Sequence, residues 1–394
     1  MLTSLAFIFL LGLLLGSIFE RLKLPSLLGM IFTGIILGPH VLNLLDESIL
    51  SISADLRQLA LVIILTRAGL SLDLDDLKKV GRPAVLMCFI PACFEIAGVT
   101  LLAPHLLGVT RLEAAIMGSV LAAVSPAVIV PRMIKIMEEG YGKNHSIPQL
   151  ILAGASVDDV FVIVLFTSFT GLAKGNGIEL INFASIPVSI IMGILLGGIF
   201  GLLITKFFKM LHMRDSVKII IILSISFLFI ECENQLKGII PISGLLAIMS
   251  MGIAINQWYP ILSKRLSQKY NRLWVGAEIL LFVLVGATVD VGYVKKAGVL
   301  FLVLICLALL MRMIGVLFCM FKTSFTKKER IFCMLAYTPK ATVQAAIGGI
   351  PLAMNLACGQ KVLTAAVVAI LVTAPFGAIA VDKSYRLLLE KNNE

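Results

Sequence analysis

The sequence predicts an all-α polytopic membrane protein of about thirteen spanning helices, arranged as two inverted six-helix repeats with crossed, discontinuous helices five and twelve. Three observations carry that prediction. Hydrophobic residues make up 59% of the 394 residues and charged ones only 14%, where a soluble domain averages roughly a quarter charged; mean hydropathy is +1.03. The apolar residues gather in runs near the ~20 residues that a spanning helix needs. Two of those runs carry the same hydroxyl–proline interruption.

The first run, 2–19, reads LTSLAFIFLLGLLLGSIF. It has no basic leader and no small-residue cleavage site, so it is expected to stay as a helix and not be removed as a signal peptide. The others follow at 26–44, 57–72, 84–107, 112–137, 148–172, 184–211, 217–232, 239–258, 273–290, 297–321, 328–354 and 362–388. Basic residues punctuate them unevenly. Most stand at or just after the odd-numbered runs: Arg21 and Lys23; Lys78, Lys79 and Arg82; Arg132, Lys135 and Lys143; Lys206, Lys209, Arg214 and Lys218. The later odd runs are followed by Lys264, Arg265, Lys269 and Arg272; by Lys322, Lys327, Lys328 and Arg330; and by Lys383, Arg386 and Lys391. The even connections hold only Arg57, Arg111, Lys174, Lys237, Lys295, Lys296 and Lys361. Positive residues favour the cytoplasmic side, which puts the N-terminus outside and the C-terminus in the cytoplasm.

The net charge of +10 is spread along the chain and forms no stripe, which argues against nucleic acid as a partner. The seven Cys show no C-x-x-C spacing, and His40, His105, His145 and His212 lie far apart. Neither a disulfide framework nor a zinc site is indicated.

Run five contains SVLAAVSPAVIVPRM and run twelve CMLAYTPKATVQAAIG, with Ser125-Pro126 and Thr338-Pro339 at mid-run. Proline removes a backbone donor and clashes with the preceding turn, so each helix should open there. Irregular backbone at membrane depth is tolerated only inside protein or beside a water-filled cavity. One proline kink is common in membrane helices; a matched pair seven runs apart is not, and an odd shift reverses direction across the membrane. Runs four and eleven match too, each with one mid-run charge, Glu95 and Arg312. Runs one to six and eight to thirteen thus form halves inverted about run seven. That is the architecture of secondary transporters, with the ion site near the midplane between the breaks.

Run six places Asp158 and Asp159 side by side in AGASVDDVFVIVLF. On a helix they point about 100° apart, so one can face a cavity while the other faces a neighbouring helix. Adjacent carboxylates in low dielectric disfavour each other's charged form, which suits a group that holds either a proton or a cation. A salt bridge that only ties helices together is a poor reason to bury two acids. An intramembrane aspartyl protease would need its two carboxylates to share a proton across one site, and neighbours diverging on one helix do not. The candidate oxygen ligands are Ser156, on the face of Asp159, Ser125 with the unwound carbonyls of the first break, and Thr342 at the second. Ser156 suits helix packing as well as ligation. Oxygen-only coordination fits a hard cation such as Na⁺ or Li⁺. Lys340, at the second break, is expected to meet the negative ends of the half-helices. Arg67, Glu231 and Glu278 lie nearer helix ends, where long side chains snorkel; Asp73, Asp75, Asp76 and Asp290 are read as loop ends.

The segments IILTRAGLSLDLDDL, AAVSPAVIVPRM, AGASVDDV and YTPKATVQAAIG together resemble the NHA-type (sodium/proton exchanger B-like) branch of the monovalent cation:proton antiporter superfamily, over nearly the whole chain. Animal members of that branch carry a further N-terminal helix and tail, so the resemblance is to a prokaryotic member of the inner membrane. It implies a homodimer contacting itself and membrane lipids, with scaffold segments 1–75 and 212–293, a linking helix 184–211, and a mobile core of 84–172 and 296–388. It implies elevator-like alternating access serving pH and salt homeostasis, no cofactor and no enzymatic activity. Asp159 would be the principal cation- and proton-carrying carboxylate, with Asp158 beside it. Electrogenic relatives carry a lysine where this chain has Arg312. Arginine in practice never deprotonates, so Arg312 would be a fixed charge partnered by Glu95 or Asp158, and exchange of Na⁺ or Li⁺ for H⁺ would carry no net current. A K⁺/H⁺ antiporter is the nearest alternative. A sodium-coupled organic-solute carrier would need a roomier polar cavity than these few mid-run polar residues can line, and a channel would need filter-like rings of ligands.

Overall fold

The structure, a computed structural model, describes residues 1–72, 81–174, 180–211, 213–236 and 242–391. Asp73, Asp75, Asp76, Lys78, Lys79, His212 and Lys237 therefore lie outside the described residues.

All the named elements are helices. The chain opens with α1 (Leu2–Arg21), α2 (Ser26–Leu37), the short α3 (Glu47–Ser51) and α4 (Ser53–Ser71). The first two pack closely because Gly29 lies against the Leu15 carbonyl, where any side chain would overlap backbone. Next come α5 (Arg82–Met87) and α6 (Ile90–Leu107). Run 84–107 was expected as one helix; it breaks at Cys88–Phe89 because Pro91 offers no N–H and its ring clashes with the turn before it. Then follow α7 (Arg111–Leu121), opened by a reciprocal cap between Thr110 and Glu113, α8 (Pro126–Glu138) and the long α9 (Ile147–Lys174) that carries the aspartates.

The middle of the chain forms α10 (Leu180–Met210), α11 (Asp215–Gln235), α12 (Gly244–Trp258) and α13 (Pro260–Ala287). Here the expected start at residue 273 is too late. The helix opens at Pro260, and Leu262, Leu266 and Tyr270, all fully buried, repeat at a helical interval along it. Lys264, Arg265, Lys269 and Arg272 are thus helical and not part of a connection. The last elements are α14 (Val291–Cys319), α15 (Lys327–Ala336, capped by Thr326 and Glu329), α16 (Thr342–Ile347), α17 (Ile350–Ala353) and α18 (Gly359–Leu388).

Eight helices among the described residues are long and apolar enough to cross a membrane, and Ser26–Leu37, Gly244–Trp258 and Thr342–Ala353 are shorter apolar pieces. The chain divides into two compact units, Met1–Ala54 with Leu74–Phe169 and Leu281–Glu394, and Asp55–Asp73 with Thr170–Leu280. In the second, Gly193, Gly197 and Gly201 on α10 face α12, and a methyl at Gly197 would overlap the Ala247 carbonyl. Small residues at this spacing are how membrane helices bring their backbones together. The first unit contains both interrupted helices. Its core joins Met87, Val124, Ile129, Ile151, Ala155, Val316, Phe332 and Tyr337, which holds α9 against α8, α14 and α15.

Candidate functional site

The two proline breaks meet. Helix α7 stops at Leu121 and α8 begins at Pro126; α15 stops at Ala336 and α16 begins at Thr342. Between them the Ser125 amide donates to the Pro339 carbonyl at 2.8 Å, so the unwound segments pair through backbone. The second is pinned from α18 as well, where Thr373 Oγ1 accepts from the Lys340 amide at 2.9 Å.

Four charged side chains, each at most 1% exposed, gather around this crossing: Glu95 on α6, Asp158 on α9, Arg312 on α14 and Lys340 between α15 and α16. Arg312 Nη1 donates to Glu95 Oε2 at 2.9 Å, and Nη2 donates to Asp158 Oδ2 at 2.7 Å. Arg312 therefore takes both of the partners that the sequence offered as alternatives. Lys340 Nζ donates to Glu95 Oε2 at 2.6 Å. Its expected place at the half-helix ends is filled by other donors: Arg312 Nε donates to the Tyr337 carbonyl at 2.9 Å, and Arg312 Nη1 also donates to the Ala122 carbonyl. The Val124 amide donates to Asp158 Oδ2 at 2.9 Å, tying the first break to α9. Two acids and two bases thus pair off. Removing one member of such a buried set leaves a bare charge, at about 3–5 kcal/mol.

Asp159 stands outside this arrangement. It is partly exposed, has no ion-pair partner among the described residues, and its Oδ1 is a buried atom without a hydrogen-bond partner. The same holds for Asp158 Oδ1, Ser125 Oγ and Thr342 Oγ1. These unpartnered oxygens belong to residues singled out in the sequence as ion ligands; the fourth, Ser156, has a side chain outside those described. Buried polar atoms are normally hydrogen-bonded, and each exception asks for an explanation. Among the described residues no group of three or more His, Cys, Asp or Glu side chains could hold a metal ion. Asp158 and Asp159 are consecutive on α9, and Ser125 and Thr342 stand at the starts of α8 and α16; carboxylate and hydroxyl oxygens are donors suited to a hard cation.

Of the carbonyls at the first break, expected to be available as ligands, those from Val120 to Ala123 are occupied instead. Gln344 Nε2 on α16 donates to the carbonyls of Val120 at 3.1 Å, Leu121 at 3.3 Å and Ala123 at 2.9 Å. Sequence reasoning weighed charges and hydroxyls and passed over this neutral amide, although a polar residue in the apolar run CMLAYTPKATVQAAIG was the available signal. Tyr337 was passed over too; its ring lies 5.4 Å from the Arg312 guanidinium carbon.

A family model described as a transmembrane sodium/hydrogen exchanger matches residues 5–382. The chain belongs to that family. Human sodium/hydrogen exchanger 9B2 is 33% identical over 383 residues, spanning 93% of this chain and 70% of the relative. Human sodium/hydrogen exchanger 9B1 is 32% identical over 379 residues, spanning 90% and 71%. Among solved structures, the sodium proton antiporter MjNhaP1 from Methanocaldococcus jannaschii covers 98% of both chains with a TM-score of 0.87 at 19% identity, a likeness of fold. Proteins of this family are transporters and not enzymes, so the resemblance read from the four motifs holds at the level of the family.

Proposed function

We propose that this chain exchanges Na⁺ or Li⁺ for H⁺ across a membrane, with Asp159 as the seat that proton and cation occupy by turns. The observation that carries the reading is the charge balance at the crossing. Glu95, Asp158, Arg312 and Lys340 pair among themselves, and Asp159 is left over. A bare carboxylate at that depth costs several kcal/mol. One proton or one monovalent cation removes the cost, and the two compete for the same oxygens. The unpartnered oxygens of Asp158, Ser125 and Thr342 supply further ligands on the same crossing.

The names of the relatives, sodium/hydrogen exchangers and a sodium proton antiporter, support Na⁺ as the cargo. Arg312 keeps its charge throughout, which favours one proton per cation without net current. We further read the chain as an inverted repeat of two six-helix halves in a homodimer, with the N-terminus outside and an elevator-like movement of a core formed by residues 84–172 and 296–388.

The test is exchange in everted vesicles, read by recovery of an acid-quenched dye. Wild type should dequench on addition of Na⁺ or Li⁺ with no organic substrate present, and Asp159→Asn should behave as empty vesicles do. Unchanged exchange by Asp159→Asn would sink the assignment.

A further inference from the structure

We propose that Gln344 is a positioning residue that withholds the main-chain carbonyls of Val120, Leu121 and Ala123 at the first break from the transported cation, so that these three oxygens do not join its ligand shell. The inference rests on the Na⁺/H⁺ reading given above.

Where α7 stops, its last carbonyls lose their helical partners. In transporters with broken helices, unwound carbonyls and half-helix C-termini are ready cation ligands. Here each carbonyl from Val120 to Ala123 has a side-chain donor. Gln344 Nε2 serves Val120, Leu121 and Ala123, and Arg312 Nη1 serves Ala122. One turn earlier, the Gly118 carbonyl accepts the Ala122 amide at 2.9 Å. An amide nitrogen carries two hydrogens, so at least one of them is shared between two of the three carbonyls. The reverse orientation would aim Oε1 at three other oxygens and is excluded by repulsion. The clamp has a second effect, because Val124, next along the chain, is the residue whose amide holds Asp158.

The chemistry of the donor matters. Gln344 is fully buried and neutral. It satisfies the negative end of α7 without adding to the balance of two acids and two bases, so the charge of Asp159 is still answered by the cargo. A lysine there would satisfy the carbonyls and also compete with the cation. A residue without a donor would leave three carbonyls facing the crossing. Backbone carbonyls in number are the ligands with which K⁺ sites replace a hydration shell, and a larger ion gains more from additional oxygens than a small one does.

The experiment compares wild type with Gln344→Met, of similar length but with no donor, and with the isosteric Gln344→Glu. The apparent KM for Na⁺ and for K⁺ is measured in the same proteoliposomes. We expect the ratio of the two KM values to move at least fivefold in favour of K⁺ in both variants. A merely structural role would lower the maximal rate and leave that ratio alone, since the ratio does not depend on how much protein folds; an unchanged ratio overturns the proposal. Should a variant purify but exchange nothing, its thermal stabilisation by Na⁺ against K⁺ is compared with wild type, and an unchanged ranking overturns it equally. Absence of exchange by wild type would instead sink the antiport reading, while the stabilisation ranking still tests the clamp.

Discussion

Arg312 reaches Glu95, Asp158 and the carbonyls of Ala122 and Tyr337 with one guanidinium. The planar fork with its five donors makes that possible; an ammonium offers three donors from a single point. Arg312→Lys should therefore retain exchange but lose hydrogen bonds worth roughly 1–3 kcal/mol in all, seen as a lower melting temperature. Lysine can also give up its proton when buried. On a solid-supported membrane, wild type should show transient charge movement without sustained current under a Na⁺ gradient, and Arg312→Lys should carry sustained current. Sustained current from wild type would refute exchange without net charge. The acids and bases of this cluster stood out in the sequence because an ionisable group in an apolar run is costly and rare. Glu95 and Asp158 were offered as alternative partners of Arg312, but that Lys340, 245 residues from Glu95, also reaches it was not legible, since spacing says nothing about such contacts. Gln344 gave only a faint signal for the opposite reason: a neutral amide in an apolar run disturbs the pattern far less than a charge does, and its value lies in what it touches.

At the scale of elements, the breaks after Leu121 and Ala336 were readable because the hydroxyl–proline pair recurs in matched runs; a proline alone does not decide, since Pro104, Pro131 and Pro375 lie inside continuous helices. The earlier break stands ahead of a single proline, Pro91, and a proline near one end of a run reads equally well as a first-turn residue. What the sequence could not supply was how α9 passes α15. Gly154 sits one turn before Asp158, and a methyl there would overlap Tyr337 Oη and come within 2.9 Å of Met87 Cβ. Both neighbours are buried in a packed core, so α9 must shift, and Asp158 moves with it relative to Arg312. Gly154→Ala should cost about 1–3 kcal/mol of stability and lower the maximal exchange rate several-fold. Gly171→Ala on the same helix is the control, because an added methyl there meets nothing within 4 Å. Equal behaviour of the two variants would show that this close approach does not set the position of the aspartates.

The alternation of basic residues predicts a direction for the whole molecule, in a count that places Arg386 and Lys391 on the cytoplasmic side. Charge counting treats them as solvated, but both are also used in packing. Past α18 the chain returns to the loop after α8: the Gly142 amide donates to the Glu390 carbonyl at 2.9 Å, Lys391 Nζ lies over the Tyr141 ring, and Tyr141 and Tyr385 meet edge to face. At the centre of this closure Glu139 Oε2 accepts from Tyr385 Oη at 2.7 Å and from Arg386 Nη2 at 3.1 Å. The Tyr385 hydrogen bond, with help from Arg386, holds the Glu139 carboxyl below its ordinary range against a smaller opposing effect of desolvation. A carboxyl depressed in the folded state stabilises the fold above its unfolded value, and that contribution is lost as pH falls through the folded one. Tyr385→Phe should therefore lower the melting temperature at neutral pH. The gap to wild type should narrow as pH falls below about 4, where a free glutamate also takes up its proton. A gap that stays constant from neutral to acid pH would mean that the tyrosine closes this end of the unit by ring packing alone, with the carboxylate a bystander.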